Sequence, residues 1–274
     1  MKKLICILGM LALLAAMAGC GAGETAATDP TEATEATQPV TEPQEEKIKL
    51  YLPVSSTDGE STVTWEYEVV EPTNSSSIMC REYMAVGNEV PVSVARRNAS
   101  PYKLRVEQLT EDNQVSRFNI TEYDEAGHAI RFTDRTPLAD GDYSDVITEY
   151  TYNEAGITTG EVCYEQQQEK GVLSEKVKIS ETAYTVEQTS EGWTVTNEEE
   201  ALVKFYNDRG WLVKQTQEVF GKVTTTTYTH NEVGAVTEYT LQTGDEEPVV
   251  TVFEYAGVPV TEDVAKQFPM FCRG

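Results

Sequence analysis

The chain has 274 residues, of which 46 are acidic and 21 are basic, giving a formal net charge of −25 at pH 7. A negative charge of this size argues against nucleic acid as a partner and against electrostatic attachment to anionic lipid. The motifs G-x-S-x-G, H-E-x-x-H and the P-loop are all missing, so the sequence predicts neither an enzyme nor a bound cofactor.

The first 19 residues have the pattern of an export signal. Lys2 and Lys3 precede an uncharged apolar run over 4–18, which is shorter than the roughly 20 residues that span a bilayer. Residues 17–20 read Met-Ala-Gly-Cys, with small residues directly before a cysteine. This tetrapeptide resembles the lipobox of bacterial lipoproteins. The alternative is a plain secretory signal that happens to contain a cysteine.

The lipobox resemblance implies a specific modification at Cys20. In that family the signal peptide, here residues 1–19, is cleaved off, and the cysteine thiol carries a diacylglycerol with acyl chains such as palmitate. Loss of Lys2 and Lys3 would leave 19 basic and 46 acidic residues, a net charge of −27. The expected location is the extracytoplasmic face of a cell membrane, with the lipid as the anchor.

Residues 20–46 are predicted to be a disordered tether. From residue 21 onward they carry seven acidic side chains, no basic side chain and no aromatic ring. Such a segment has too little apolar surface to offset the entropy lost on ordering. Its Thr/Glu/Pro-rich character resembles the tethers of Gram-positive lipoproteins, so we expect a Gram-positive-like cell surface.

Residues 47–274 are predicted to form an all-β domain, because apolar and polar residues alternate with a period of two. Turn chemistry separates these runs at 111–113, 170–171, 191–192, 221 and 244–245. A short C-terminal helix is expected over 261–268, capped by Thr261. The predicted fold is an antiparallel meander of repeated β-hairpins that forms an extended, twisted sheet or spiral. The predicted strands cover 62–70, 103–109, 115–123, 146–152, 177–186, 211–220, 223–230, 236–241 and 249–255.

A short motif repeats within this domain. Tyr-Asp-Glu-Ala-Gly at 123–127 recurs as Tyr-Asn-Glu-Ala-Gly at 152–156, with looser copies at 206–210 and 230–234 and a stub at 255–257. In each copy an Asp or Asn side chain can accept a hydrogen bond from the turn, and a glycine can supply the positive φ that reverses the chain. The residues with these structural roles are Asp124, Gly127, Asn153, Gly156, Asn207, Gly210, Asn231 and Gly234.

These copies resemble the YD-repeat (Rhs-type) family over about 118–258. The copies depart from the family pattern in three ways: only one has Asp after Tyr, one has His230 in place of Tyr, and the basic residue that usually follows the glycine is missing. In that family the repeats build a long spiral β-sheet, sometimes a shell around a toxin. For this chain the resemblance implies a scaffold and no activity.

Three cysteines remain after Cys6 leaves with the signal and Cys20 takes the lipid. They are Cys80, Cys163 and Cys272. An odd number allows at most one bridge within the chain. A bridge from Cys80 to Cys272 is one of three options, and three reduced, buried thiols is the alternative.

The acidic cluster Asp140, Asp142 and Asp145 is a weak candidate for calcium, which takes about 6–8 oxygen ligands. The alternative is a solvated hairpin loop. His128 and His230 both lie at repeat turns, where polar turn residues are the simpler interpretation than a metal pair.

Aromatic residues are the last candidates for a binding function. Trp65, Trp193 and Trp211 each lie at or near a predicted strand start and could stack on sugars or peptides, although rings that cover an apolar sheet face are the simpler interpretation.

Three functions stay open. The first is a non-catalytic, surface-tethered β-repeat scaffold or binding domain. The second is a glycan- or peptide-binding lipoprotein for uptake or adhesion, which an aromatic groove would favour. The third is a polymer hydrolase, which would need two carboxylates about 5–10 Å apart, one with a raised pKa.

Overall fold

The computed structural model describes residues 48–69 and 77–273. The predicted signal peptide (1–19), Cys20 and the predicted tether (20–46) lie outside these residues.

The described chain consists mostly of β-strands, as its wealth of Thr, Val and Tyr favours. One short 3-10 helix (Ala139–Gly141) and one α-helix, α1 (Glu262–Gln267), complete it. The strands are β1 (Ile48–Thr57), β2 (Ser61–Val69), β3 (Ile78–Val86), β4 (Val92–Ser100), β5 (Lys103–Leu109), β6 (Val115–Tyr123), β7 (Ala129–Pro137), β8 (Tyr143–Tyr152), β9 (Thr158–Glu169), β10 (Val172–Leu173), β11 (Val177–Ala183), β12 (Thr185–Thr189), β13 (Gly192–Asn197), β14 (Leu202–Asn207), β15 (Leu212–Val219), β16 (Lys222–His230), β17 (Val236–Thr243), β18 (Val249–Val260) and β19 (Cys272–Arg273).

The strands form one antiparallel sheet in which most strands pair with their neighbours in the chain. The main exception is β1, which lies between β2 and β18 and so joins the two ends of the domain. The sheet is not closed: β11 pairs with β9, β12 pairs with β13, and Tyr184 joins them along the chain. The predicted all-β antiparallel meander is therefore confirmed.

The four repeat turns share one hydrogen-bond pattern. In the turn at 153–157, the Asn153 side chain accepts from the backbone N–H of Ile157 at 2.9 Å, and Gly156 N–H donates to the Asn153 carbonyl at 3.0 Å. The first of these bonds recurs in the turns at 124–128, 207–211 and 231–235. A register shift precedes each turn, as in a β-bulge. The Asp/Asn and glycine roles predicted from the repeat are thus those the structure shows.

The repeat turns also stack on one another, an arrangement that we call the turn stack. The last residue of one turn covers the glycine of the next: a Cβ on Gly156 would collide with His128, and one on Gly234 would lie 2.9 Å from the Trp211 ring. Gly127, in the first turn, is covered in the same way by the backbone of Pro269. The glycines therefore serve both the positive φ and the close approach of the neighbouring turn.

The largest core cluster lies where β1 meets the C-terminal helix. Leu50 and Leu52 of β1 pack with Ala265 and Phe268, and all four are almost fully buried. The Thr261 hydroxyl accepts from Val264 N–H and begins α1, which confirms the predicted cap.

The element boundaries correct several expectations. The predicted strand 177–186 is broken at Tyr184, and the predicted strand 211–220 is too long at both ends. Trp211 closes a repeat turn, while Phe220 has φ +53 in a hairpin turn and is 92% exposed. The predicted ranges also leave out part of the observed sheet; in β4, for example, the charged residues Arg96 and Arg97 break the alternation. The strands outside the predicted ranges are β1, β3, β4, β7, β9, β10, β13, β14 and β19.

Candidate functional site

A cavity of about 600 Å³ lies on the first part of the sheet, over strands β2 to β5. Four arginines and two glutamates line it, so the charged lining is net positive in a chain of net charge −25. Its lining residues are Glu66, Tyr67, Met79, Cys80, Arg81, Tyr83, Arg96, Arg97, Asn98, Arg105 and Glu107.

Strand register places charges in a row across this cavity. Glu66 of β2 lies opposite Arg81 of β3, Arg81 lies opposite Arg96 of β4, and Arg96 lies opposite Glu107 of β5. Residues opposite each other on neighbouring strands share a face of the sheet. We call these four residues the charge row. Its centre is a pair of arginines placed side by side.

The four arginines differ in what they contact. Arg97 forms an ion pair with Glu82 at 2.6 Å, and Arg105 forms one with Glu107 at 2.7 Å. Arg105 also lies over the Phe118 ring, 4.3 Å from its centroid. Arg96 donates one hydrogen bond to the carbonyl of Asn113 at 3.2 Å. Among the carboxylates whose side chains the structure describes, none pairs with Arg81 or Arg96.

A second polar cluster is buried inside the sheet, away from the cavity. Glu161 of β9 is 6% exposed and Lys204 of β14 is 7% exposed. The Lys204 ammonium lies 5.5 Å from the centroid of the Tyr184 ring. Among the described residues no direct ion pair joins Glu161 to Lys204, so each charge keeps much of its desolvation penalty.

Burial shifts the pKa of each group in the direction that favours its uncharged form. Desolvation, with a smaller contribution from the neighbouring Cys163, raises the pKa of the Glu161 carboxyl to about 7 against the lowering effect of Lys204. Desolvation likewise lowers the pKa of the Lys204 ammonium. The Tyr184 hydroxyl is close enough to lower the pKa of Glu161, although its hydroxyl forms no hydrogen bond of good geometry. Glu161 does not line the cavity, so this raised pKa has no visible access to a substrate.

The three candidate calcium ligands, Asp140, Asp142 and Asp145, have different surroundings. Asp140 lies in the 3-10 helix with φ +59, and the Asp142 carboxylate accepts from Lys170 N–H at 2.8 Å. Asp145 is buried and bound by Arg135 at 2.6 Å and 2.7 Å. In the described part of the chain, no group of three or more His, Cys, Asp or Glu residues is placed to hold a metal ion.

The two histidines belong to the turn stack. His128 stacks on Tyr152 with 4.9 Å between ring centroids and contacts Asp124 through Nδ1 at 3.0 Å. His230 packs against Trp211 at 5.5 Å, and burial lowers its pKa. The structure therefore places them in separate stacking contacts.

The three tryptophans do not form one binding surface. Trp211 is buried in the turn stack, and Trp193 packs beside the cluster of Ile157 and Leu202. Trp65 stacks on Phe253 and donates its Nε1–H to Glu82 at 2.8 Å.

Cys80 and Cys163 are buried, and no disulfide joins them. Burial raises the pKa of the Cys80 thiol to about 11, which makes it a poor nucleophile although it lines the cavity. The Cys163 thiol lies 3.4 Å from the Thr148 hydroxyl, while the side chain of Cys272 lies outside what the structure describes.

The cavity arginines were not among the candidates that the sequence suggested. A signal was present, because Arg81, Arg96, Arg97 and Arg105 lie within one stretch of a strongly acidic chain. The strand register, which no local pattern specifies, is what brings the four arginines together.

Comparison with known proteins assigns no family. No protein-family model matches the chain, and no curated protein matches it either. A solved structure described as a porin-like protein from Bacteroides uniformis ATCC 8492 is 14% identical, covering 78% of this chain and 96% of its own, with a TM-score of 0.25. A likeness this weak shows neither a shared fold nor a shared function. Within the described ranges no helix is long and apolar enough to cross a membrane.

Proposed function

We propose that the protein is a lipoprotein, anchored to the extracytoplasmic face of a cell membrane through Cys20, whose β-repeat domain binds a ligand and catalyses no reaction. The main support for a binding function is the cavity over β2–β5, whose volume of about 600 Å³ falls in the size range of small-molecule sites. The lipobox-like residues 17–20 and the acidic segment after them support the anchor.

A hydrolase is less well supported. Glu161 has the raised pKa that a general acid needs, yet it is buried and does not line the cavity. Two carboxylates do line the cavity, those of Glu66 and Glu107. Glu107 is engaged by Arg105 in an ion pair at 2.7 Å, so the two do not form the free carboxyl pair that glycoside hydrolysis uses.

Blocking the cavity tests the binding function. Met79 lines the cavity and Met84 lies outside it on the same strand, and both are 37% exposed. We expect Met79→Trp to weaken binding of any glycan or peptide that the processed chain retains on an array, since the larger ring takes up part of the site. Met84→Trp should leave that binding unchanged. No retained ligand, or equal binding by both variants, would contradict the proposal.

The anchor has its own prediction. Replacing Cys20 with Ala should abolish metabolic labelling with palmitate and release the protein from the membrane fraction, because two or more acyl chains are what make attachment stable. Cys6→Ala, in the segment predicted to be removed, is the matched control and should be labelled normally. Unchanged labelling of the Cys20→Ala protein would contradict the proposal that the protein is a lipoprotein.

A further inference from the structure

We propose that Arg81 and Arg96 form an anion subsite, which holds the carboxylate or phosphate group of a small organic ligand in the cavity. The inference rests on the proposed ligand-binding function and names the chemistry of the ligand.

The first argument is the placement of the two arginines. They lie directly opposite each other on β3 and β4, and like charges in that position destabilise a sheet. An anion between them would turn this repulsion into two attractive contacts. The arrangement is therefore less favourable without a ligand than with one.

The second argument is that two of the nearby carboxylates, those of Glu107 and Glu82, are already engaged, while Glu66, opposite Arg81 in the strand register, forms no ion pair with it. Glu107 lies opposite Arg96, but its carboxylate contacts Arg105 at 2.7 Å. Glu82 accepts from both Arg97 and the indole of Trp65. Among the side chains that the structure describes, no carboxylate pairs with Arg81 or Arg96. Their planar N–H donors are therefore available to a ligand, apart from the bond from Arg96 to the carbonyl of Asn113.

The third argument concerns the kind of ligand. A guanidinium fork matches the two oxygens of a carboxylate or phosphate, which Lys would bind only as a point charge. A cavity of about 600 Å³ is much larger than an inorganic ion and includes Met79 and Tyr83. The ligand should therefore carry an organic body that packs on these two side chains, with its anionic group at the arginines.

Isothermal titration of the processed, lipid-free chain with three sugars tests this inference. D-glucuronate carries a carboxylate, D-glucose 6-phosphate carries a phosphate, and D-glucose carries neither. We expect at least one anionic sugar to bind at least about tenfold more tightly than glucose, since hydrogen bonds to charged groups are the stronger ones. The stronger of the two identifies the anionic group, and added NaCl should weaken its binding.

Three substitutions assign the binding to the subsite. Arg81→Gln and Arg96→Gln should each weaken binding of the anionic sugar by about tenfold or more. Arg131→Gln is the control, because Arg131 lies outside the cavity in exposed ion pairs with Glu122 and Glu149. Arg96→Gln should also leave the midpoint of thermal unfolding unchanged or higher, since it removes a like-charge contact, which a purely structural arginine would not do.

The outcomes separate this inference from the proposed function. Equal binding of glucose and both anions, no binding of either anion, or an equal loss in Arg131→Gln would overturn the anion subsite. A neutral ligand whose binding is weakened in Met79→Trp would overturn the anion subsite and leave the ligand-binding function standing.

Discussion

Replacing Glu161 with Gln should raise the free energy of unfolding by about 3 kcal/mol at pH 8 and by less than about 1 kcal/mol at pH 5. Glu161 is 6% exposed and faces Lys204 without a direct ion pair. The glutamine amide has the same shape and no charge, so the variant keeps the packing and loses the buried carboxylate.

The direction of the pKa shift explains why Glu161→Gln should stabilise the fold at high pH. Burial raises the pKa of Glu161 from 4.5 to about 7, so the folded protein binds this proton more tightly than the unfolded chain does. The corresponding stability is fully present below pH 4.5 and is lost as the pH rises to about 7. Between these two pH values the free energy of unfolding falls by at most about 1.4 kcal/mol per pH unit. The variant has no such proton and should not lose this stability.

Urea unfolding at pH 5 and pH 8 measures the effect, with the slope against urea checked for constancy. Glu149→Gln is the control, because hydrogen bonding to Lys176 lowers the pKa of Glu149 instead. Its stability contribution is lost on going to acid, so Glu149→Gln should be neutral or slightly destabilising at pH 8. A Glu161→Gln variant less stable than the native chain at pH 8 would mean that the buried charges stabilise the fold.

Gly234→Ala should lower the free energy of unfolding by about 2–4 kcal/mol. Gly234 has φ +84, and its new Cβ would lie 2.9 Å from two atoms of the Trp211 ring. Because Trp211 is buried and packs on His230, the ring cannot move without disturbing the next turn. Overpacking therefore adds to the strain of a positive φ.

Gly59→Ala separates these two contributions. Gly59 has a similar φ of +88, and a Cβ added there would meet nothing within 4 Å. We expect a loss of only about 1–2 kcal/mol from the backbone conformation. Equal losses in the two variants, measured by chemical unfolding at pH 7, would show that the turn stack adds no packing constraint.

The repeat turns could be predicted from the sequence because their chemistry is local. An Asx side chain and a glycine three residues later specify the same loop wherever they occur, and the hydrogen bonds of Asn153 and Asn231 confirm it. The stacking of one turn on the next could not be predicted. It depends on which turn follows which in space, and the interval from Gly156 to Gly210 is not a regular repeat.

The cavity and the buried pair depend on register and on facing strands. A shift of one residue in the pairing of β3 with β4 would send Arg81 and Arg96 to opposite faces. Glu161 and Lys204 lie 43 residues apart in the sequence and meet only because β9 and β14 face the same interior. No local pattern specifies either arrangement.

Nitrogen-15 NMR of the arginine side chains tests ligand binding in the cavity most directly. The Nε–Hε signals of the processed chain would be assigned with Arg81→Gln and Arg96→Gln and followed during titration with D-glucuronate and D-glucose 6-phosphate. We predict that the signals of Arg81 and Arg96 shift and saturate with one of these anions, while that of Arg135, held by Asp145, does not move. Shifts confined to arginines outside the cavity, or no shift at all, would contradict the account.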